Sequence, residues 1–172
     1  MTVGPTALTE IQQYESLFWA FNAVQLLAIT GVAPNTPQNA AAFSANTELL
    51  DGQTLVTSNF INSVVASFTP HTFFYGCVVA TEETAAGVAQ SCTITATGFA
   101  PGGAQVASQD FVFAAGPATT LVQPMVQGTF GPAFANVQTV RFALTSALSD
   151  VLVAGLIDTV TATLYEAPGA FV

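Results

Sequence analysis

The sequence predicts an all-β fold in which two antiparallel sheets pack as a β-sandwich. Gly, Pro and Asn interrupt the chain at short intervals, and the segments between them are rich in Val, Thr, Phe and Ile. This spacing is typical of a sandwich or barrel. Several segments also alternate apolar and polar residues, which is the period of a strand. The length of 172 residues predicts one domain over residues 1–172, large enough to bury a full core.

Three segments carry the clearest alternation: SCTITATG, QTVRFALT and DTVTATLY. Their predicted inward faces are Cys92/Ile94/Ala96, Val140/Phe142/Leu144 and Val160/Ala162/Leu164. Arg141 is predicted to point outward from the second segment. The stretch Gly98–Gln105 is predicted to be a tight connection, because Pro101 fixes its φ and the two glycines that follow permit positive φ.

The N-terminal third is less regular. Thr9 followed by an acidic residue is compatible with a short capped helix over 9–15. The segment 17–29 is compatible with a helix or a buried strand, and the alternation of Trp19, Phe21 and Ala23 favours a strand. The next segment, VAPNTPQNAAAF, begins as a loop because of its prolines and asparagines.

Composition excludes several classes of partner. Only 6% of the residues are charged, Arg141 is the one Lys or Arg, and the net charge is −9. Nucleic-acid binding is therefore excluded, and an anionic membrane surface would repel the chain. The longest apolar stretch, 17–33, is shorter than the roughly 20 residues of a membrane span, so none is predicted. Met1 before TVGPTALTE resembles a start codon placed on a mature N-terminus, so we expect a secreted, extracellular protein whose signal peptide has been removed.

The two cysteines, Cys77 and Cys92, flank an acidic loop rich in Ala and Gly. We expect the strands on either side to be antiparallel neighbours, joined by a disulfide at the base of the loop. Such a bridge would close about 15 residues and contribute roughly 3 kcal/mol in the chain-entropy model. It would also imply an oxidising compartment. The alternative is two free buried cysteines. Glu82 and Glu83 are predicted at the solvated tip of the loop.

Motifs across residues 14–166 resemble those of secreted fungal proteins with a galactose-binding-domain-like jelly roll. The matching segments are YGC (75–77), SCTITATG (91–98), FANVQTVRFAL (134–144) and AGLIDTVTATLY (154–165). Many such proteins resemble carbohydrate-binding modules and have no assigned activity. The resemblance implies a jelly-roll sandwich and a carbohydrate or cell-wall association. LTEIQQ departs from the usual acidic Phe-Asp start of the pattern.

Asp158 is the most informative polar residue, because its alternation with Val160 predicts that it points into the core. A buried carboxylate must be paired, hydrogen-bonded or bound to a metal. One hypothesis is a structural Ca²⁺ held by Asp158 with Glu15 or Glu10. The alternative is an Asp that accepts hydrogen bonds from backbone N–H groups. No cofactor is expected to be required.

The remaining polar candidates favour a structural role over catalysis. His71 is predicted in a loop with its ring satisfied by hydrogen bonds. Arg141 is predicted to pair with Asp110 or Glu166 across strands, with contact to an anion as the alternative. No motif supplies a nucleophile with its base or a pair of converging carboxylates, so we do not expect an enzyme.

Binding is therefore the favoured class. Sugar-binding modules stack aromatic rings on the faces of sugars. The candidate residues for such stacking are Trp19, Tyr14, Tyr75 and Tyr165. For each of them, packing in the core is the alternative. The expected partner is a glycan or cell-wall polymer. A structural, self-assembling surface protein is the other hypothesis, because strand edges without lysine are prone to pair into a homo-oligomer.

Overall fold

The computed structural model describes residues 9–25, 31–36, 38–44, 54–79, 88–117, 120–148 and 153–167. These residues form twelve β-strands and one short 3-10 helix, and none of their helices has the length and hydropathy of a membrane span. The strands are β1 (Thr9–Tyr14), β2 (Leu17–Gln25), β3 (Val32–Ala33), β4 (Asn39–Phe43), β5 (Leu55–Thr57), β6 (Val65–Val79), β7 (Cys92–Phe99), β8 (Gln105–Phe113), β9 (Gln123–Pro124), β10 (Val126–Thr129), β11 (Thr139–Ser146) and β12 (Val153–Glu166). The 3-10 helix spans Pro132–Phe134.

Ten strands form one antiparallel sheet in the order β10-β6-β12-β4-β2-β5-β11-β7-β8, with β1 paired to β2. β3 and β9 form a separate parallel pair. β2 joins the two halves of this sheet, because its first half pairs with β5 and its second half pairs with β4. The all-β antiparallel prediction is confirmed. Because hydrogen bonding continues through β2, a division into two separate sheets is not confirmed.

The sheet has two arms that face each other across the core: β10-β6-β12-β4 and β5-β11-β7-β8. The phenylalanines fill the space between them. Phe73 of β6 meets Phe111 of β8 at a centroid distance of 4.8 Å, and Phe43 of β4 lies 6.3 Å from Phe142 of β11. Gly155 of β12 leaves room for the Phe43 ring, because a Cβ there would lie 2.6 Å from two ring carbons. The many phenylalanines of the sequence therefore serve to pack the two arms against each other.

The alternation predicted for β7 and β11 is confirmed. All six of their predicted inward residues are buried, and Arg141 is exposed. The predicted tight connection between β7 and β8 is also confirmed, with Gly102 and Gly103 at φ of 96° and 88°. Local sequence thus predicts β7, β11 and the turn that leads into β8.

In β12 the predicted inward face ends early. Thr159 has a φ of 47°, and the pairing with β6 shifts register between Asp158 and Thr161. Such a bulge turns the following side chains away from their expected face. Val160 and Ala162 pack against the core while half-buried, but Leu164 is 37% exposed, so its prediction as a core residue is wrong.

The predicted N-terminal helix is wrong. Residues 9–14 form strand β1, which pairs with β2 through a two-residue turn, Glu15-Ser16. Both turn residues have positive φ, 51° and 63°, as a type I′ turn requires. A segment this short is a poor helix nucleus, whereas pairing with β2 lets Ile11 pack against the core. The strand favoured after Leu17 is confirmed as far as Gln25; residues 26–30 lie outside the described part.

His71 lies in strand β6, so its prediction as a loop residue is wrong. Pro70 pairs with Ala162 while Thr72 pairs with Thr161, which leaves His71 as an extra residue opposite β12. This bulge, together with the end of the β10 pairing at Thr72, lets a long strand contain a proline.

The disulfide between Cys77 and Cys92 is present, with a Cα–Cα distance of 6.2 Å. The expected neighbouring strands are wrong, because β6 and β7 belong to opposite arms of the sheet. The segment before β7 pairs with β6 through a bridge between Val78 and Ala89. The disulfide therefore ties the two arms together. Residues 82 and 83, the predicted acidic loop tip, lie outside the described residues.

Candidate functional site

A cavity of about 730 Å³ opens between the β1–β2 hairpin and β12. Apolar side chains form most of its wall, including Leu17, Ala41 and Ile157. Its aromatic and carboxylate residues are Tyr14, Trp19, Glu15 and Asp158. Four residues singled out from the sequence for different reasons thus line one space, which we call the hairpin cavity.

The two aromatic residues of the hairpin cavity come from the hairpin itself. Tyr14 ends β1 and is 60% exposed, whereas Trp19 in β2 is half-buried. The indole N–H of Trp19 donates to the main-chain carbonyl of Tyr14 at 3.1 Å, and the ring lies against Phe21 at a centroid distance of 6.0 Å. These two contacts fix the indole before any ligand binds. Less conformational entropy is therefore lost when a ligand stacks on it.

Asp158 is buried in the wall formed by β12. One carboxylate oxygen accepts the backbone N–H of Thr36 at 2.7 Å. The other accepts the hydroxyl of Thr36 and, at 3.0 Å, the hydroxyl of Thr159. These bonds tie β12 to the segment that follows β3. The prediction that Asp158 points inward is confirmed, since it is 9% exposed.

Glu15 occupies the turn of the hairpin and is exposed. Among the described residues, no group of three or more His, Cys, Asp or Glu side chains lies close enough to hold a metal. The side chain of Glu10 lies outside the described part. The hydrogen bonds of Asp158 match the metal-free alternative, and the Ca²⁺ hypothesis stays a prediction that calcium titration can test.

The hairpin cavity is rich in acceptors and negative charge. The Thr36 hydroxyl already donates to Asp158, and the amide of Asn35 donates to Thr159 at 3.1 Å. Asn39 adds a further amide to the lining. The chain's single Arg and single His are not in the lining. A ligand here would meet hydrogen-bond acceptors and two carboxylates.

Tyr75 lies away from the hairpin cavity. It is 5% exposed, and its hydroxyl donates to the carbonyl of Val112 at 3.0 Å. Burial raises the pKa of Tyr75 above its ordinary value of 10.0. Tyr75 is therefore a core residue, which was the alternative to its prediction as a sugar-stacking residue. Tyr165, by contrast, is 41% exposed and outside the lining.

Arg141 makes a different contact from the one predicted. Its guanidinium lies 4.4 Å from the centroid of the Phe99 ring, and no ion pair to it occurs among the described residues. Asp110 instead accepts the Thr95 hydroxyl at 2.7 Å. His71 is satisfied as predicted, with Nε2 at 2.7 Å from the Thr163 hydroxyl.

Three polar residues of the lining carried no sequence signal: Thr36, Asn39 and Thr159. The first two lie in or beside a stretch that the sequence identifies only as a loop, and Thr159 alternates with the predicted inward face of β12, so the pattern places it outward. Its bulge conformation, which alternation does not reveal, brings it to the rim.

No protein-family model matches the chain, and no curated protein matches its sequence. Among solved structures, a DUF4465 family protein from Bacteroides caccae is similar with a TM-score of 0.53 and 12% identity, covering 97% of this chain and 91% of that one. The enzymatically active domain of bacteriophage CBA120 tailspike protein 4 has a TM-score of 0.39 at 11% identity, over 91% of this chain and 20% of that one. The first likeness shows a shared fold and nothing about function.

Proposed function

We propose that the protein is a secreted, non-catalytic module that binds carbohydrate in the hairpin cavity. The observation that carries this proposal is the meeting of Trp19 and Tyr14 with Glu15 and Asp158 in one space. The apolar face of a sugar ring stacks on aromatic side chains, while its hydroxyls donate to carboxylates and amides. The mostly apolar wall of the cavity suits the apolar face of the sugar, and its few polar groups suit the hydroxyls.

The dimensions of the cavity support a small ligand. Its volume of about 730 Å³ lies within the roughly 300–1,000 Å³ typical of small-molecule sites. The cavity is open to solvent at the exposed side chains of Tyr14 and Glu15. A terminal sugar, or a short stretch of a polymer such as a cell-wall glycan, is the ligand class we propose.

The carboxylates favour binding over hydrolysis. Glycosidases generally need two carboxylates that act on one bond, one as acid and the other as base or nucleophile. In the hairpin cavity both oxygens of Asp158 already accept hydrogen bonds from Thr36 and Thr159. Glu15 then has no obvious catalytic partner in the lining. The disulfide supports secretion, because such bonds persist in oxidising compartments.

A glycan array followed by titration calorimetry tests the proposal. Tyr14→Ala should weaken binding of an array hit by about tenfold through lost stacking. The Trp19 hydrogen bond goes to the main chain of residue 14 and survives this change. Tyr165→Ala is the matched control, an exposed tyrosine outside the cavity. A silent array, or equal loss in both variants, would refute the proposal.

Self-assembly is the second candidate, favoured by exposed aliphatic side chains on the two end strands. Val106 and Val112 of β8 are 46% and 65% exposed, and Val126 of β10 is 43% exposed. No lysine protects these edges. Light scattering should then detect species larger than a monomer, and Val112→Lys should shift the population toward monomer. A monomeric profile at high protein concentration would count against this candidate.

A further inference from the structure

We propose that the hairpin cavity selects amino sugars that carry a free ammonium group over neutral and acidic sugars. The inference rests on the proposed carbohydrate binding and names its ligand class. It derives from the charges around the cavity, which no Arg or His side chain of the described residues balances.

The first observation is a buried carboxylate that has no counter-cation within the described part of the chain. Asp158 is about nine-tenths buried, and its three hydrogen bonds come from neutral groups of Thr36 and Thr159. Buried charges are normally paired with an opposite charge, because they have lost the solvation of water. The only Arg lies on the Phe99 ring, and the only His bonds to Thr163. A cationic ligand would supply the missing positive charge.

The second observation is the place of Glu15. It stands exposed at the mouth of the cavity, directly after Tyr14 and four residues before Trp19, both of which line the cavity. A sugar ring stacked on the aromatic residues would therefore have a carboxylate beside it. An ammonium there would form a charge-assisted hydrogen bond, which is stronger than one from a neutral hydroxyl.

The lining favours an organic cation over an anion. Leu17, Ala41 and Ile157 give the cavity an apolar wall. An organic cation with an apolar face suits such a wall. Sugars that carry carboxylate or sulfate groups would be repelled by the two carboxylates and by the net charge of −9.

The test compares soluble β-1,4-linked tetramers of glucosamine, N-acetylglucosamine and glucose by titration calorimetry at mildly acidic pH. The three share a backbone and differ at one substituent. We expect the glucosamine tetramer to bind about tenfold more tightly than the other two, as one charge-assisted hydrogen bond allows. Added salt should reduce this ratio, because screening weakens the charged ligand's attraction only.

Variants assign the preference to the cavity. Glu15→Gln should reduce the tenfold ratio to about twofold or threefold while keeping the shape of the exposed turn. Asp110→Asn removes the same unit of charge from β8, outside the cavity lining, and should leave the ratio unchanged. Equal affinity for all three tetramers, or an unchanged ratio in Glu15→Gln, would overturn the inference and leave carbohydrate binding standing. Failure of all sugars to bind would overturn both.

Discussion

Replacement of Asp158 tests how the wall of the hairpin cavity is held. Its carboxylate accepts three hydrogen bonds, from the backbone and hydroxyl of Thr36 and the hydroxyl of Thr159. Each such bond contributes about 1 kcal/mol net, so Asp158→Ala should lower the free energy of unfolding by about 3 kcal/mol. Asp158→Asn keeps one acceptor oxygen and should cost about half as much.

The assay is urea unfolding followed by the fluorescence of Trp19, the only tryptophan of the chain. A loss of about 3 kcal/mol corresponds to roughly 6–12 °C in Tm for a domain of this size. Asp110→Ala is the control, because that exposed carboxylate accepts one hydrogen bond, from Thr95. Asp110→Ala should cost less than about 1 kcal/mol. The reasoning fails if the two alanine variants are equally stable.

Calcium titration of the same proteins separates the two hypotheses for Asp158. A bound ion stabilises the native state by about 2.7 kcal/mol at a hundredfold excess over its Kd. If the threonine hydrogen bonds are the whole role of the carboxylate, calcium should not stabilise the wild type more than Asp158→Asn. A calcium-dependent rise confined to the wild type would establish the metal hypothesis.

Three further changes probe other parts of the fold. Ser16→Gly should raise the unfolding free energy by about 0.5–1 kcal/mol, since glycine adopts the φ of 63° without strain; an unchanged urea midpoint would contradict this. Gly155→Ala should cost about 1–3 kcal/mol by crowding Phe43, and in a double-mutant cycle Phe43→Leu should relieve at least half of that cost. Tyr75 has a raised folded pKa, so its contribution to stability is complete below pH 10.0 and is lost as pH rises through the folded value. Tyr75→Phe should therefore flatten the alkaline decline in unfolding free energy, and an identical decline in both proteins would contradict the assignment.

Period-two alternation predicted the strands whose environment is uniform along their length. In β7 and β11, one face meets the core from end to end, so the side chains report burial directly. β6 and β12 depart from the rule where they pair around His71 and Thr159. A bulge depends on the register between two distant strands, and neither strand alone encodes it in its hydrophobic pattern.

The aromatic and carboxylate residues of the hairpin cavity were predictable one by one, but the cavity itself was not. Aromatic character marked Tyr14 and Trp19, and inward alternation marked Asp158. Their meeting depends on the folding of the β1–β2 hairpin beside β12, which is separated from it by most of the chain. The disulfide pairing was predictable because the chain has only two cysteines, whereas the position of its two strands in opposite arms of the sheet was not.

The place of Arg141 makes trypsin a reporter of unfolding. Trypsin cleaves after lysine or arginine, and this chain offers it one such residue, in the middle of β11 with β5 and β7 on either side. Cleavage requires the scissile segment to leave both neighbours and enter the protease as an extended chain. The rate at which intact protein gives way to two fragments should thus follow the opening of this strand, with no background from other cuts.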